Sequence, residues 1–204
     1  MGKAHLMFRE NLGLATGFLS ARGITTQTAD RFGLGVVPDG VKGYEQYYGR
    51  LVIPYVDRSG VYGFKFRCMA LHDCKTEDCA KYLNPEGQEL GLFNVLALDS
   101  DSEVLHVCEG EIDAIVLAQI VPDPVVGLPG ADVWRDHFPF HMAGFERVCL
   151  WPDGDKAGKE MGKAWLKRLR TAEIMRIPNG HDVNSVFCAQ GAAFFTEALQ
   201  EGEQ

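Results

Sequence analysis

Two short acidic segments carry most of the chemistry this sequence could perform. Glu109-Gly110-Glu111-Ile112-Asp113 follows an apolar stretch ending at Cys108, and Asp153-Gly154-Asp155-Lys156-Ala157-Gly158 follows another, Arg147 to Trp151. Carboxylates are hard oxygen donors that suit Mg²⁺ or Mn²⁺ and, through the ion, phosphate oxygens. Two of them spaced two apart in extended backbone face one side, and Gly154 between them permits a close backbone approach. Crowded without a cation, Glu109, Asp153 and Asp155 would repel until one took up a proton, whereas a divalent ion keeps all three ionised. Asp-Gly-Asp alone is ordinary turn composition. Its pairing with a second acidic segment, each leaving an apolar strand for a helix, is far more specific.

The elements that must position these acids read as alternating strand and helix from about Asp101 onward, the pattern of a parallel sheet covered by helices. Strands are expected at Val104 to Cys108, Pro124 to Leu128, Arg147 to Trp151 and Ala172 to Ile177. Between them, Glu111 to Ile120 forms a helix apolar on nearly all sides, and Lys159 to Arg170 a surface helix. Glu109, Asp153 and Asp155 then emerge at the carboxyl ends of strands, where open α/β sheets hold their ligands. Lys156 and the helix amino terminus beside Gly158 offer positive potential to a phosphate, although ordinary helix initiation explains them equally well.

The first half reads differently. Asn11 to Arg22 has helical spacing and stops at Gly23, and Thr25 caps a second helix running to Phe32, closed by Gly33 and Gly35. After Tyr44 to Tyr48, Leu51 to Val56 and Val61 to Arg67 alternate with period two around the turn Asp57-Arg58-Ser59-Gly60, an antiparallel hairpin. In its second strand Tyr62, Phe64 and Phe66 share one face, and Lys65 and Arg67 the other. The boundary between the halves falls near 95–102.

Composition narrows the function classes. The chain has 204 residues, 46% of them hydrophobic, and no apolar run near the ~20 residues of a membrane span. Its start lacks the basic-then-apolar layout of a secretory signal, so a cytoplasmic setting is expected (the host cytoplasm for a viral chain), with no membrane partner. The net charge of -8 is concentrated in the second half, while residues 1–98 are nearly neutral. Neither Gly-x-Gly-x-x-Gly nor Gly-x-x-x-x-Gly-Lys-Ser/Thr occurs, which disfavours dinucleotide enzymes and P-loop NTPases. The six cysteines follow no disulfide-scaffold spacing. Cys68, His72, Cys74 and Cys79 form the one zinc-like cluster, but their spacing fits no common structural pattern, so zinc is not expected. Cys108, Cys149, Cys188, His106, Trp134, Trp151 and Trp165 read as packing residues.

Glu-Gly-x-x-Asp at Glu109 to Asp113 and Asp-Gly-Asp-x-Ala-Gly at Asp153 to Gly158 together resemble the Toprim domain shared by topoisomerases and primases. Further segments resemble, in the same order, the core of bacterial DnaG-type primases. These are Arg22-Gly23, Arg31-Phe32-Gly33-Leu34-Gly35, Arg50-Leu51-Val52-Ile53-Pro54 with Gly63-Phe64 and Arg67, Lys81-Tyr82-Leu83-Asn84-Pro85-Glu86, Leu128-Pro129-Gly130 and Pro178-Asn179-Gly180-His181-Asp182. The resemblance covers roughly residues 10 to 190. It implies an α/β Toprim domain over 101–204, a parallel sheet flanked by helices, preceded over 1–100 by a smaller mixed α+β subdomain with the antiparallel hairpin.

The resemblance also implies metal ligation by Glu109, Asp153 and Asp155, with Asp182 near a further metal or a nucleotide phosphate and Asp113 in support. Asn184 stands where the family often has a second acid, and a family lysine before Leu92-Phe93 is missing. Arg50, Lys65, Arg67, Lys81 and Asn84 would line a nucleic-acid groove; taken singly, each of these basic residues reads as a solvated surface charge. The implied activity is metal-dependent, template-directed synthesis of short RNA primers from nucleoside triphosphates on single-stranded DNA. The family's zinc-binding and helicase-binding domains find no room here, which implies a minimal or split primase, as in a phage, served by a separate zinc-domain protein and a replicative helicase. Two alternatives stay open: a Toprim nuclease, and a non-catalytic module that binds nucleic acid. A topoisomerase would need a nucleophilic tyrosine domain and a far longer chain.

Overall fold

The computed structural model describes residues 1–130 and 135–201, so Trp134, expected to pack, lies outside the described residues. The chain divides into two compact units, Met1–Leu90 and Gly91–Gln204. The division precedes the boundary expected near 95–102 because residues 91–100 are fastened to the second unit. Phe93 exchanges backbone hydrogen bonds with Gly127, at 2.8 and 3.2 Å, and Leu92 is part of that unit's core. These residues lack strand periodicity, so the pattern alone could not assign them.

The first unit opens with helix α1 (Gly2–Glu10), for which the sequence shows no side-chain cap and hence no start signal. Its anchor is Phe8, fully buried against Tyr44 and Phe64. The single helix expected from Asn11 to Arg22 is instead a 3-10 turn, Leu12–Ala15, followed by α2 (Thr16–Ser20). Gly13 and Gly17, both poor helix formers, interrupt it. Thr25 caps α3 (Thr26–Arg31) by accepting a bond from the Thr28 amide at 3.1 Å, and Gly33 turns the chain at φ +63°.

An antiparallel sheet follows in chain order: β1 (Gly35–Val36), β2 (Leu51–Asp57), β3 (Gly60–Arg67) and β4 (Tyr82–Leu83). The β2–β3 hairpin is as expected, its turn closed by Asp57, whose carboxylate accepts from the Ser59 amide and hydroxyl. Val52, Phe64, Phe66, Tyr47 and Phe8 form the core, with Tyr47 stacked on Phe66 at 3.9 Å. Gln88 extends the sheet with a side chain, its amide both accepting from and donating to the Phe64 backbone at 2.8 and 2.7 Å.

The second unit is a parallel sheet in the order β6-β5-β7-β8, with β5 (Val104–Cys108), β6 (Val125–Gly127), β7 (Arg147–Trp151) and β8 (Ala172–Ile174). The two central strands match expectation, whereas the two outer ones are shorter than the apolar runs that suggested them. Helix α4 (Glu111–Leu117) is buried nearly all round, as its composition requires. Helices α5 (Phe138–Met142), α6 (Lys156–Leu166), α7 (Val183–Gln190) and α8 (Ala193–Glu201) complete the unit. Helix α6 begins and ends a few residues earlier than Lys159 to Arg170, because Asp155 caps it. Cys108 and Cys149 are buried, but Cys188 is exposed on the last turn of α7 and is not a core residue.

His106 and Trp151 are buried packing residues, as expected, and they are linked: the indole Nε1 donates to His106 Nδ1 at 3.1 Å, which leaves the imidazole proton on Nε2. Burial depresses the His106 pKa from 6.5 to about 4, partly offset by Asp123, whose carboxylate lies 3.9 Å from Nε2. The unfolded chain thus takes up this proton near 6.5 and the folded one resists it down to about 4, so the stabilisation is complete above 6.5 and is lost as pH falls toward 4. Urea denaturation should show stability falling by about 2–3 kcal/mol between roughly pH 7 and pH 4.5, at about 1.4 kcal/mol per pH unit. That component should vanish in His106→Gln, which keeps an acceptor for Trp151; an unchanged pH profile in the variant would refute the assignment.

Candidate functional site

Parallel pairing of β5 with β7 aligns Cys108 with Trp151, so the segments that follow leave the sheet at the same edge. Glu109 emerges from β5 and Asp153 from β7, and the Glu109 carboxylate accepts a hydrogen bond from the Asp153 amide at 3.0 Å. Asp155 caps α6 by accepting from the Gly158 amide at 2.8 Å. Asp182 caps α7 in a reciprocal capping box with Ser185, accepting from its amide at 2.7 Å. Asp113, on α4, accepts from the Asn184 amide at 2.9 Å and so ties α4 to α7. The expected residues Glu109, Asp113, Asp153, Asp155 and Asp182 are thereby gathered in one region, each but Asp153 holding a described backbone amide.

Two glycines make this gathering possible. The Gly154 amide donates to the His181 carbonyl at 2.7 Å, and the Gly154 carbonyl accepts from the Gly180 amide at 3.1 Å. The Asp-Gly-Asp loop is thereby paired with the Pro178-Asn179-Gly180-His181-Asp182 loop. A Cβ on Gly154 would collide with the Pro178 carbonyl, and one on Gly158 with the Asp153 backbone. Lys159 adds a bond across the loops, its ammonium donating to Asn179 at 2.6 Å. Lys156 is exposed at the first turn of α6.

The electrostatics of the cluster are those of a cation site. Burial first, then the charges of Asp182, Asp153 and Glu109, push the Asp113 pKa up to about 8, against the one opposing bond from Asn184. A divalent ion among these carboxylates would remove that repulsion, and hard oxygens are the donors Mg²⁺ or Mn²⁺ prefer. The donor set therefore fits such an ion. Asn184 is buried, with its amide nitrogen directed to Cys188 Sγ at 3.7 Å and its backbone committed to Asp113.

In the first unit the expected basic residues are not a row of solvated charges. Lys65 and Arg67 are buried, at 6% and 8% exposure. Lys65, Arg67 and Lys81 lie 4.5, 5.0 and 6.0 Å from the ring of Tyr82, a cation–π cluster around one aromatic. Arg67 also donates to the carbonyls of Cys68 and Lys81, and Arg50 to that of Ala80. Only Lys81 and Asn84 of this set are exposed. Tyr82 was present in the Lys81-Tyr82-Leu83-Asn84 motif but not singled out; its register opposite Arg67 was the signal, and it depends on pairing of β3 with β4.

The loop pairing yields a direct test. Gly154→Ala should lower thermal stability by about 1–3 kcal/mol, the range for forced overpacking. Gly144→Ala, where a Cβ would meet nothing within 4 Å, should change it little. Equal melting temperatures for the two variants would contradict the close approach of the two loops.

Residues 106–187 match a family model described as Toprim-like. A gene 57 protein of Mycobacterium phage D29 is 38% identical over 158 residues, covering 75% of this chain and 99% of that protein. A DNA primase of Pasteurella multocida is 27% identical over 233 residues, covering 92% of this chain. The chain spans 39% of the length of that primase. Among solved structures, a DnaG primase catalytic domain bound to single-stranded DNA has a TM-score of 0.77 at 22% identity, covering 98% of this chain and 77% of that one. A primase of Aquifex aeolicus, comprising zinc-binding and RNA polymerase domains, has a TM-score of 0.80 at 22% identity, covering 98% of this chain and 59% of that one. With the acidic loops on one sheet edge and the antiparallel unit before them in the chain, the protein belongs to the family of the phage D29 gene 57 protein, carries a Toprim-like segment, and has the fold of the DnaG primase catalytic core.

Proposed function

We propose that this chain is the catalytic core of a DNA primase, joining nucleoside triphosphates into a short RNA primer on single-stranded DNA. The observation that carries the proposal is the gathering of Glu109, Asp153, Asp155 and Asp182 in one region, where burial first and then the charges of Asp182, Asp153 and Glu109 push Asp113 up to about 8. Glu109, Asp153 and Asp155 would hold Mg²⁺ or Mn²⁺, and Asp182 a further ion or a nucleotide phosphate, with Asp113 in support. Such ions lower the pKa of a primer 3′-hydroxyl and neutralise the charge of the triphosphate.

The chain's own residues orient and attract. Asp155 receives the Gly158 amide, and so it is fixed at the amino terminus of α6. That terminus and Lys156 present positive potential to phosphate. In the first unit, Lys81 and Asn84 are exposed for contact with the template or primer, while Arg50, Lys65 and Arg67 brace them, since cations near phosphate position a strand without reading its sequence. A separate zinc-domain protein and a replicative helicase would supply template choice and recruitment.

Asp153→Asn, Asp155→Asn and Glu109→Gln remove charge at nearly constant shape, and the last two keep the oxygen that accepts a backbone amide. Primer synthesis on single-stranded DNA with Mg²⁺ or Mn²⁺ should drop on the order of a hundredfold or more in each variant, with unchanged melting. Assays with and without a zinc-domain partner cover the case in which the core needs help. Metal-dependent cleavage of DNA without incorporation would select the nuclease reading; binding without turnover would select the non-catalytic one.

Lys81→Ala should weaken single-stranded DNA binding roughly threefold to tenfold at low salt, equally for all sequences. The slope of log affinity against log salt should fall by about 0.7, the value for one phosphate contact on a single strand. A slope identical to that of the parent chain would remove Lys81 from the interface.

A further inference from the structure

Between β3 and β4 the chain makes an excursion, residues 68–81, without regular secondary structure. From Met69 to Ala80 no side chain is buried, and Leu71 is fully exposed. Nothing apolar therefore holds this segment, although a loop of that length without secondary structure is uncommon in a compact unit. Within it, the ligand atoms of Cys68, His72, Cys74 and Cys79 all lie within 4.8 Å of one another. Among the described residues this is the one group of three or more Cys, His, Asp or Glu side chains that converges in this way.

We infer that Cys68, His72, Cys74 and Cys79 form a structural zinc site inside the core itself. The geometry fits the ion. Four tetrahedral ligands at ~2.3 Å for sulfur and ~2.0 Å for nitrogen are separated from one another by roughly 3.5–3.8 Å. Cys68 Sγ lies 3.7 Å from His72 Nε2 and 3.6 Å from Cys79 Sγ. Three thiolates and an imidazole are a soft donor set that selects zinc over the hard cations suited to the acidic site. Four protein ligands leave no open position, which makes the site structural and not catalytic.

The surroundings are built to match. Three thiolates around a divalent ion leave about one net negative charge, and Arg50 approaches Cys79 Sγ at 3.8 Å while donating to the Ala80 carbonyl. Asp78, immediately before Cys79, has φ +46°, in the left-handed region that a non-glycine residue seldom occupies. That turn, with the Cys79 amide bonded to the Cys74 carbonyl at 3.1 Å, brings the fourth ligand back to the others. A zinc site here departs from the expectation drawn from spacing alone, which does not favour zinc. The unusual spacing argued against a site only because common zinc patterns assume a different turn. The site fastens both ends of the excursion, Cys68 next to Arg67 and Cys79 two residues before Lys81, and thereby holds the cations that flank Tyr82.

Elemental analysis of the full chain, purified without chelator, should find one zinc per chain. Cobalt substitution should give the intense visible bands of a tetrahedral thiolate site. Cys74→Ser and Cys79→Ser should each lose most of the metal, whereas Cys188→Ser, an exposed cysteine outside the cluster, should retain it. Absence of co-purified metal together with no cobalt spectrum would overturn the site, as would full zinc retention in a Cys74→Ser, Cys79→Ser double variant. A Cys68–Cys79 disulfide found by mass spectrometry in protein purified under reducing conditions would also overturn it. Should the serine variants fail to fold, metal content and the cobalt spectrum of the parent chain still decide.

Discussion

Carboxylates at close range repel, and the second unit gathers Glu109, Asp113, Asp153, Asp155 and Asp182 in one region. The rest of that unit is arranged to make this tolerable. Four of the five accept a backbone amide: Glu109 from Asp153, Asp113 from Asn184, Asp155 from Gly158 and Asp182 from Ser185. Three of those amides, of Gly158, Asn184 and Ser185, belong to the first turns of α6 and α7, whose termini carry partial positive charge. The amides hold the acids in place but do not cancel their charge, and Asp113 rises to about 8 through its burial first and the neighbouring charges of Asp182, Asp153 and Glu109 second. Backbone geometry holds these acids in one region, and the parallel sheet supplies that geometry by ending β5 and β7 side by side.

The first unit solves the opposite problem. Lys65 and Arg67 are cations taken largely out of water, and burial of a charge is costly unless it is compensated. Both lie over the ring of Tyr82, and Arg67 also donates to the carbonyls of Cys68 and Lys81. Arg67 Nε is buried and has no hydrogen-bond partner among the described residues. The hairpin, the two-residue strand β4 and the excursion between them serve chiefly to hold this group.

Much of the candidate site was legible before any coordinates. Val104 to Cys108 and Arg147 to Trp151 were readable because central strands of a parallel sheet are largely apolar runs, broken here by His106 and opened by Arg147, and acids follow both. Thr25 and Gly33 were readable because caps depend on local hydrogen bonding and left-handed φ alone. Helix α1 was not, since it has no capping side chain and its one buried residue, Phe8, finds its partners in Tyr44 and Phe64, far along the chain. The role of Gly154 was visible only in part: its freedom could be read, but not the carbonyl of Pro178 that forbids a side chain there.

The sequence by itself determined the acids, their strands and the family, because residue type and strand-to-helix order suffice to bring Glu109, Asp153 and Asp155 to one sheet edge. Only the tertiary structure decided that the Asp-Gly-Asp loop is paired with the loop before Asp182, that Lys65 and Arg67 are buried around Tyr82, and that Cys68, His72, Cys74 and Cys79 meet. Each of these is a contact between segments whose separation along the chain carries no information about their separation in space. Local pattern encodes which face a residue shows and how a helix begins. Register between strands and the path of a loop are set by the packing of the whole unit.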